Sequence, residues 1–260
     1  MTRPNKKAHF TLGLFLLLLI FRLTIQADVE LLKPVIISKL PHHLPAFTQG
    51  LSIEGDCLYE SVGLYGRSGL RLINLFNGEL IRKVSLPSTF FAEGIAVFPH
   101  QIIQITWKEE LAFVYDRVAF NVLSTLFYSG EGWGLCRDAE TVWMSNGTST
   151  LIQREIKTFS VLKTLEVRYH GKPLENLNDL EHVGHHLYAN IWHKNWIVRI
   201  DKLTGDVTAV IDLSSLLSHS EKRNLKEEEV LNGIAFRQST NTFYVTGKEW
   251  PWIFELRFAP

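Results

Sequence analysis

Apolar and polar residues alternate in short runs along most of this chain, and turn residues separate the runs. Alternation at every second position is typical of half-buried β-strands. The Asn77-Gly78 and Thr204-Gly205 pairs each stand between two such runs, and Asn-Gly is a strong hairpin signal. The pattern therefore predicts an all-β protein in which consecutive strands form antiparallel hairpins.

A short motif recurs five times, and the copies can be aligned on a small or turn residue that each contains. The positions just before that residue are Gln49, Glu93, Trp133, Asn178 and Asn232, so the steps are 44, 40, 45 and 54 residues. Strand-like runs follow each copy, as at 57–66, 69–75 and 79–86 after the first. Repeats of this length, with four strands each, are typical of propeller blades. The fold predicted is an all-β, five-bladed β-propeller.

The two ends of the repeat array predict how the ring closes. The fifth unit reaches the C-terminus after its third strand, and the strand-like segment 29–40 precedes the first unit. We expect this N-terminal strand to supply the outer strand of the last blade, because closure removes an open sheet edge. The longest step contains the polar, helix-compatible segment 214–231, which predicts a surface insert. Its acids Glu227 to Glu229 are interpreted as surface charge.

Equivalent positions of propeller blades form rings around the central channel. The five motif positions form the first predicted ring, and positions near the end of each second strand form the next: Gly63, Trp107, Gly147, Trp192 and Lys248. A structural ring would tend to repeat one residue type. These rings instead mix an acid, a lysine, amides and tryptophans, which predicts a pocket with walls and positioned polar groups.

Glu93 is the single acid of these rings and stands close to Phe91 and Trp107. A carboxyl in apolar surroundings has its pKa raised, which suits it to proton transfer. A buried glutamate can equally serve the fold by accepting backbone hydrogen bonds, and a tryptophan is most often core. The equivalent placement of Trp107 and Trp192 favours pocket walls.

Composition narrows the range of functions. The chain has 260 residues, 46% of them hydrophobic, which suffices for one all-β domain. Lys plus Arg and Asp plus Glu both number 27, and no basic patch stands out. Nucleic acid binding, which depends on a cationic surface, is therefore not expected.

The N-terminus resembles a targeting segment. Basic residues Arg3, Lys6 and Lys7 precede the apolar block 10–21, and Ala27 provides a small residue for cleavage. We interpret residues 1–27 as a secretory signal peptide, with an uncleaved membrane anchor as the alternative. Either way, we expect the domain 28–260 to be exported. It would then be secreted, or it would reside in the periplasm or the secretory pathway. Membrane contact would come only through an uncleaved segment.

The cysteines and histidines suggest little chemistry. Cys57 and Cys136 lie in different, non-neighbouring repeats, so we expect two free thiols. His182, His185 and His186 fall on a predicted turn without a partner acid, which makes a metal site there a weak hypothesis.

Nine motifs, in order, resemble one known family. They are FTQGL, YESVGLYGRSGLR, EGI, TWKE, GEGWGL, LNDLE, NIW, VLNGIA and TGKEWP. Together they look like the plant and bacterial type of glutaminyl-peptide cyclotransferase, over about Phe47 to Glu255. The resemblance implies a five-bladed propeller with its site at one mouth of the channel. It also implies conversion of N-terminal glutaminyl residues of peptides or proteins to pyroglutamate, with release of ammonia. We further expect a monomer that needs no cofactor. A structural ion in the channel would be compatible with the reaction.

The motifs transfer specific roles to this sequence. The general acid/base falls on Glu93 of EGI, and Lys248 of TGK is the second catalytic candidate. The substrate-binding candidates are Phe47, Gln49, Phe91, Trp107, Trp133, Asn178 and Trp192. Departures are mild: Ala92 precedes the glutamate where glycine is common, and SNGT at 145–148 replaces a usual Asp-Gly-Ser.

A second hypothesis belongs to another class, since propellers often serve as scaffolds. The chain would then be a non-catalytic exported propeller that binds peptides or sugars. The discriminating feature is the single ring acid among tryptophans and a lysine, which a binder does not need. A metal-dependent propeller enzyme would place several acids in the rings, where this sequence places only Glu93.

Overall fold

The computed structural model describes residues 28–259, and these form an all-β structure with a single short helix. The proposed signal peptide, residues 1–27, lies outside the described residues. No helix in the described part of the chain is long and apolar enough to cross a membrane.

The strands follow one another with short turns between them. In chain order they are β1 (Glu30–Pro41), β2 (Thr48–Glu54), β3 (Cys57–Val62), β4 (Gly69–Asn74), β5 (Leu80–Ser85), β6 (Ala92–Val97), β7 (Gln101–Thr106), β8 (Leu111–Asp116), β9 (Val122–Phe127), β10 (Leu135–Asp138), β11 (Thr141–Met144), β12 (Thr150–Glu155), β13 (Val161–Glu166), β14 (Arg168–Tyr169), β15 (Lys172–Pro173), β16 (Leu177–Val183), β17 (His186–Ile191), β18 (Trp196–Asp201), β19 (Val207–Asp212), β20 (Leu231–Arg237), β21 (Thr242–Gly247) and β22 (Trp252–Ala259). The helix α1 (His219–Arg223) lies between β19 and β20.

Consecutive strands pair antiparallel, as the alternation and turn signals predict. The sheets β2–β5, β6–β9 and β10–β13 each contain four strands in chain order. The remaining long strands join into one eight-stranded sheet in the order β16-β17-β18-β19-β1-β22-β21-β20, and β14 pairs with β15. The arrangement is β-propeller-like, with hydrophobic clusters packed between neighbouring sheets.

The N-terminal strand β1 joins the two ends of the chain. Its longer part pairs antiparallel with β22, from Lys33 opposite Ala259 to Pro41 opposite Trp252. Its first residues pair in parallel with β19, where Glu30 lies opposite Ala209. The predicted role of segment 29–40 as the outer strand beside the last one of the chain is therefore confirmed, and no strand edge remains open between β19 and β22.

The first strands of the units lie side by side in a closed order, β2-β6-β10-β16-β20-β2. Small residues of the repeated motif allow this close approach. A Cβ atom at Gly134 would lie 2.1 Å from the carbonyl oxygen of Asn178, and one at Gly94 would lie 2.3 Å from the Leu135 nitrogen. Gly94 and Gly134 therefore have a packing reason, because a side chain at either position would overlap the backbone of the adjacent first strand.

Asp179 occupies the equivalent position in the fourth copy and joins its neighbours by hydrogen bonds instead. Its Oδ2 accepts from the backbone nitrogens of Leu51, at 3.2 Å, and Ile234, at 2.9 Å. Burial raises the pKa of this carboxyl well above its usual range. The side chain thus satisfies backbone groups of two other strands at the centre of the molecule.

Replacing Gly134 with alanine should destabilise the fold, because the new Cβ would overlap a backbone oxygen that cannot rotate away. We expect the free energy of unfolding to fall by about 3 kcal/mol. Gly55→Ala is the control, since its φ of +63° is unfavourable but nothing lies within 4 Å of its Cβ. That change should cost about 1 kcal/mol. Denaturant unfolding measures both, and equal losses would contradict the packing explanation.

The insert predicted at 214–231 lies at the surface and contains α1. Ser218 caps the helix in a capping box with Glu221, and no residue of the helix is buried. The Nε1 of Trp252 donates to Glu221 Oε1 at 2.7 Å, which attaches the insert to the last strand. Cys57 and Cys136 are both free, as the sequence predicts.

Candidate active site

A cavity of about 340 Å³ opens where the first strands begin. All nine candidate residues line it, together with Leu64 and Glu228: the full lining is Phe47, Gln49, Leu64, Phe91, Glu93, Trp107, Trp133, Asn178, Trp192, Glu228 and Lys248. The structure thus brings into one chamber residues spread over about 200 positions of the chain. The alignment of repeats located seven of the nine because equivalent positions meet at the same end of the strands, and the family resemblance supplied Phe47 and Phe91.

Two members of the second predicted ring do not face the chamber. A Cβ atom at Gly63 would lie 2.5 Å from the Phe91 ring, and one at Gly147 would lie 2.7 Å from the Trp133 ring. These glycines therefore leave room for the aromatic walls rather than lining the cavity.

The polar groups of the chamber are buried. Gln49, Glu93, Asn178 and Lys248 are each no more than 5% exposed. The Nε2 of Gln49 donates to Glu93 Oε1 at 2.9 Å, and Asn232 Nδ2 donates to Gln49 Oε1 at 3.2 Å. The two hydrogen bonds connect Asn232, Gln49 and Glu93 in series. Asn232 thus fixes the amide of Gln49, and Gln49 orients the carboxyl of Glu93.

Burial governs the electrostatics of the site. Desolvation raises the pKa of Glu93 well above the usual range of a carboxyl, while the positive charge of Lys248 opposes that rise. The carboxylates of Asp179, Glu131 and Glu109 raise it further. Desolvation likewise lowers the pKa of the Lys248 ammonium, against the attraction of Glu93. The raised pKa of Glu93 suits this carboxyl to accepting and returning a proton.

Aromatic rings form the walls. Phe91 packs edge-on against Phe47 and Trp107, with centroid separations of 6.4 and 5.5 Å. Trp133 and Trp192 form a second edge-on pair at 5.3 Å. These rings exclude water from the buried acid and offer flat apolar surfaces to a ligand.

Glu131 connects the two aromatic groups. Its Oε2 accepts hydrogen bonds from Trp107 Nε1 at 2.8 Å and from Trp133 Nε1 at 3.0 Å. The carboxylate therefore fixes one wall against the other, although it does not itself line the cavity. Sequence reasoning missed this residue, which stands in the GEGWGL motif two positions before Trp133.

Two buried polar atoms of the chamber have no hydrogen-bond partner within residues 28–259. They are the indole Nε1 of Trp192, a donor, and Oδ1 of Asn178, an acceptor. An unsatisfied buried polar group is costly, so such a pair beside a cavity indicates groups that a ligand would satisfy. Trp192 differs in this from Trp107 and Trp133, whose indole nitrogens both bind Glu131.

Removing the Glu131 carboxylate should loosen the chamber. Glu131→Leu leaves two indole N–H groups without an acceptor, and we expect KM for a substrate to rise about tenfold. Glu131→Gln keeps an acceptor oxygen and should hold KM within about threefold of the wild-type value. Because the Glu131 charge raises the pKa of Glu93, the glutamine variant should also shift the acid limb of the rate profile to lower pH. Equal KM values in both variants would contradict this role of the carboxylate.

A larger cavity, of about 680 Å³, lies at the opposite ends of the same first strands. Arg137, Glu181, His182 and Arg237 are among its lining residues. Desolvation raises the pKa of Glu181 to about 7. Both Glu181 oxygens, however, accept backbone hydrogen bonds, from His182 and Phe236. The smaller chamber is the better candidate because it combines aromatic walls with unpartnered polar atoms.

The described residues contain no group of three or more His, Cys, Asp and Glu side chains arranged for a metal ion. His182 contacts protein groups instead: its Nε2 lies 2.9 Å from the Gly184 carbonyl oxygen and 2.9 Å from Lys202 Nζ.

Comparison with known proteins points to a single family. The sequence profile of the glutamine cyclotransferase family matches residues 12–258. Glutaminyl-peptide cyclotransferase from Arabidopsis thaliana is 34% identical over 224 residues, which is 85% of this chain and 70% of the relative. The crystal structure of Myxococcus xanthus glutaminyl cyclase superposes with a TM-score of 0.82 at 34% identity, covering 89% of this chain and 99% of the other. The chain belongs to the glutamine cyclotransferase family.

Proposed function

We propose that this chamber converts N-terminal glutaminyl residues of peptides or proteins to pyroglutamate, with Glu93 as the proton-transferring group. The activity follows from the family and from both relatives, which are named for glutaminyl cyclisation. One observation carries the assignment of Glu93: it is the buried acid of an aromatic chamber, held by Gln49 and with a raised pKa.

The reaction is an intramolecular acyl transfer. The free α-amine of the substrate attacks the carbon of its own γ-carboxamide, and a five-membered ring forms. Glu93 accepts a proton from the attacking amine and then donates it to the departing nitrogen, which leaves as ammonia. The two reacting groups are already tethered, so the main tasks of the site are to hold the curled conformer and to move this proton.

The remaining chamber groups support these two tasks. The ammonium of Lys248 and the free Nε1–H of Trp192 would stabilise the carboxamide oxygen as it gains negative charge. Asn178 Oδ1 would accept a hydrogen from the amine or from the amide NH₂. Gln49, a substrate-binding candidate from sequence, uses its Nε2 to hold Glu93. Phe47, Phe91, Trp107 and Trp133 would enclose the glutamine side chain.

We propose five blades for the propeller, one for each of the first strands β2, β6, β10, β16 and β20 that contact one another in a closed order. In this arrangement β1 completes the last blade through its pairing with β22. The domain would extend over residues 28–260, after a signal peptide or anchor at 1–27 that directs it to an exported location. We propose a monomer that needs no cofactor and does not bind nucleic acid.

Substrate discrimination tests the reaction. Four peptides that differ only at the N-terminus, beginning with Gln, N-acetyl-Gln, Asn or Glu, should be followed for ammonia release and mass loss. Only the free Gln peptide should react efficiently, because acetylation removes the nucleophile. Turnover should survive a chelator. Ammonia release from the acetylated peptide, or loss of activity on chelation that the metal restores, would contradict the proposal.

A non-catalytic peptide-binding or sugar-binding propeller was the alternative from sequence. The family assignment and the named relatives favour the enzyme. A protein that only binds a ligand would also have no need of the raised pKa of the Glu93 carboxyl.

A further inference from the structure

Glu228 lines the chamber at its opening to solvent. It lies on the surface insert between β19 and β20, and its side chain is 55% exposed while the residue still contributes to the cavity wall. Lys248 lines the same chamber, and the negative charge of Glu228 partly offsets the desolvation that lowers the pKa of the Lys248 ammonium. Sequence reasoning treated this acid as surface charge, because it stands in a run of three glutamates.

The backbone directly after Glu228 is bonded to residues that follow β21, and a local hydrogen bond orders the turn around Glu228. The indole Nε1 of Trp250 donates to the Glu229 carbonyl oxygen at 3.0 Å, and Lys248 N donates to the Val230 carbonyl oxygen at 2.9 Å. Glu229 Oε2 accepts from Lys226 N at 2.9 Å. These bonds fix the segment that carries Glu228 beside the chamber.

Glu228 differs from the other acids near this opening. Glu109 accepts from Tyr65, Glu131 from two indoles, and Glu249 from Arg67 and the Ala46 nitrogen. In the described part of the chain, no hydrogen bond reaches the Glu228 carboxylate. Within residues 28–259, its one partner at ion-pair distance is the ring of His193, at 3.7 Å, which is charged only when protonated.

The cations near the opening are engaged with other groups. Lys108 Nζ lies 3.8 Å from the Trp107 ring centroid and 3.7 Å from Glu131 Oε1. Arg67 pairs with Glu249 at 2.7 Å. The Glu228 carboxylate is therefore free to interact with a positive charge that arrives from solvent.

A peptide whose N-terminal glutamine occupies the chamber must continue outward through this opening, because the chain extends from the glutamine carbonyl. We infer that Glu228 is a specificity-determining residue that favours a cationic side chain, lysine or arginine, directly after the glutamine. The inference rests on the proposed function of the chamber, and it names the class of substrate that the chamber prefers.

The test compares three peptides that begin Gln-Lys, Gln-Ala and Gln-Glu and are otherwise identical and uncharged. At about pH 8, histidines are ordinarily neutral. At this pH and low salt, the wild-type kcat/KM should be about threefold higher for Gln-Lys than for Gln-Ala. For Gln-Glu it should be about threefold lower than for Gln-Ala. Effects of this size are expected for a half-exposed charge pair. Glu228→Gln should bring the three values within about 1.5-fold of one another.

Glu227→Gln is the matched control, since it removes the same charge from the neighbouring exposed position, which does not line the chamber. It should keep the wild-type order of the three peptides. The readout is the ratio of kcat/KM between two peptides. Any effect of Glu228 on Lys248 changes kcat/KM for all three peptides alike and therefore cancels in this ratio. An unchanged ratio in Glu228→Gln, or an equal loss in both variants, would overturn the inference and leave the chamber assignment intact. No cyclisation of any of the three peptides by the wild type would overturn both.

Discussion

Glu93→Gln should lower kcat for a Gln-initiated peptide by about 10²- to 10⁴-fold, the contribution typical of a positioned general acid/base. The amide has nearly the same shape as the carboxyl, and its oxygen can still accept the hydrogen bond from Gln49 Nε2. It cannot accept the proton of the attacking amine. The loss should therefore fall on kcat, with KM changed much less.

The fold of this variant should be retained, because the substitution removes a buried charge rather than a packed group. The unfolding temperature should stay within about 5 °C of the wild-type value. Gln49→Met, which removes the group that orients Glu93, should lie between wild type and Glu93→Gln in kcat. Turnover of Glu93→Gln within fivefold of wild type would refute the proposed role.

Lys248→Met should lower kcat by about 10²- to 10³-fold, as expected when a buried donor to a developing oxyanion is lost. Methionine keeps most of the buried stem of Lys248, whose Nζ lies 4.9 Å from the Phe47 ring centroid. The variant should also change the pH dependence. The Lys248 charge lowers the pKa of Glu93, so without it that pKa rises further. Since the basic form of Glu93 is the one that reacts, the acid limb of kcat should move to higher pH.

Lys194→Met provides the comparison, because Lys194 is an exposed lysine that does not line the chamber. Its kcat and its pH profile should match those of wild type. If Lys248→Met raised KM alone and left the acid limb unchanged, Lys248 would be a binding residue without a role in stabilising charge.

The repeat pattern predicted seven of the residues that line the chamber. The motif glycines mark where adjacent first strands meet, as the fit around Gly94 and Gly134 illustrates. The residue before each glycine, or before Asp179 in the fourth copy, lies at the same end of its strand, so aligning the copies brought Gln49, Glu93, Trp133 and Asn178 together without a structure. The strand at 29–40 was predictable because the last unit lacked an outer partner.

Strand β9 (Val122–Phe127) was not identified from sequence. Five of its six residues are exposed, so its apolar residues do not mark a buried face that alternates with an exposed one. An outermost strand exposed on both faces gives a weak periodic signal. In addition, no Asn-Gly or Thr-Gly pair marks the turn before β9, as such pairs do before β5 and β19.

The roles of Glu131 and Glu228 could not be read from the sequence for a related reason. Neither occupies a repeated position, and each looks like an ordinary surface acid in its local sequence. Glu131 becomes informative only when Trp107 and Trp133 converge on one of its oxygens. Glu228 becomes informative only when the insert folds back beside Lys248. Such contacts depend on three-dimensional placement rather than on pattern.

The crystal structure of Glu93→Gln with a bound Gln-initiated peptide would test the central claim most directly. We expect the glutamine side chain between Trp107 and Trp192, with its α-amine about 3 Å from the side chain of residue 93, within hydrogen-bond reach. The Nε1 of Trp192 and Oδ1 of Asn178 should each gain a partner from the peptide. A peptide bound in the cavity at the other ends of the strands, beside Glu181, would contradict the assignment of the active site, as would an α-amine directed away from residue 93.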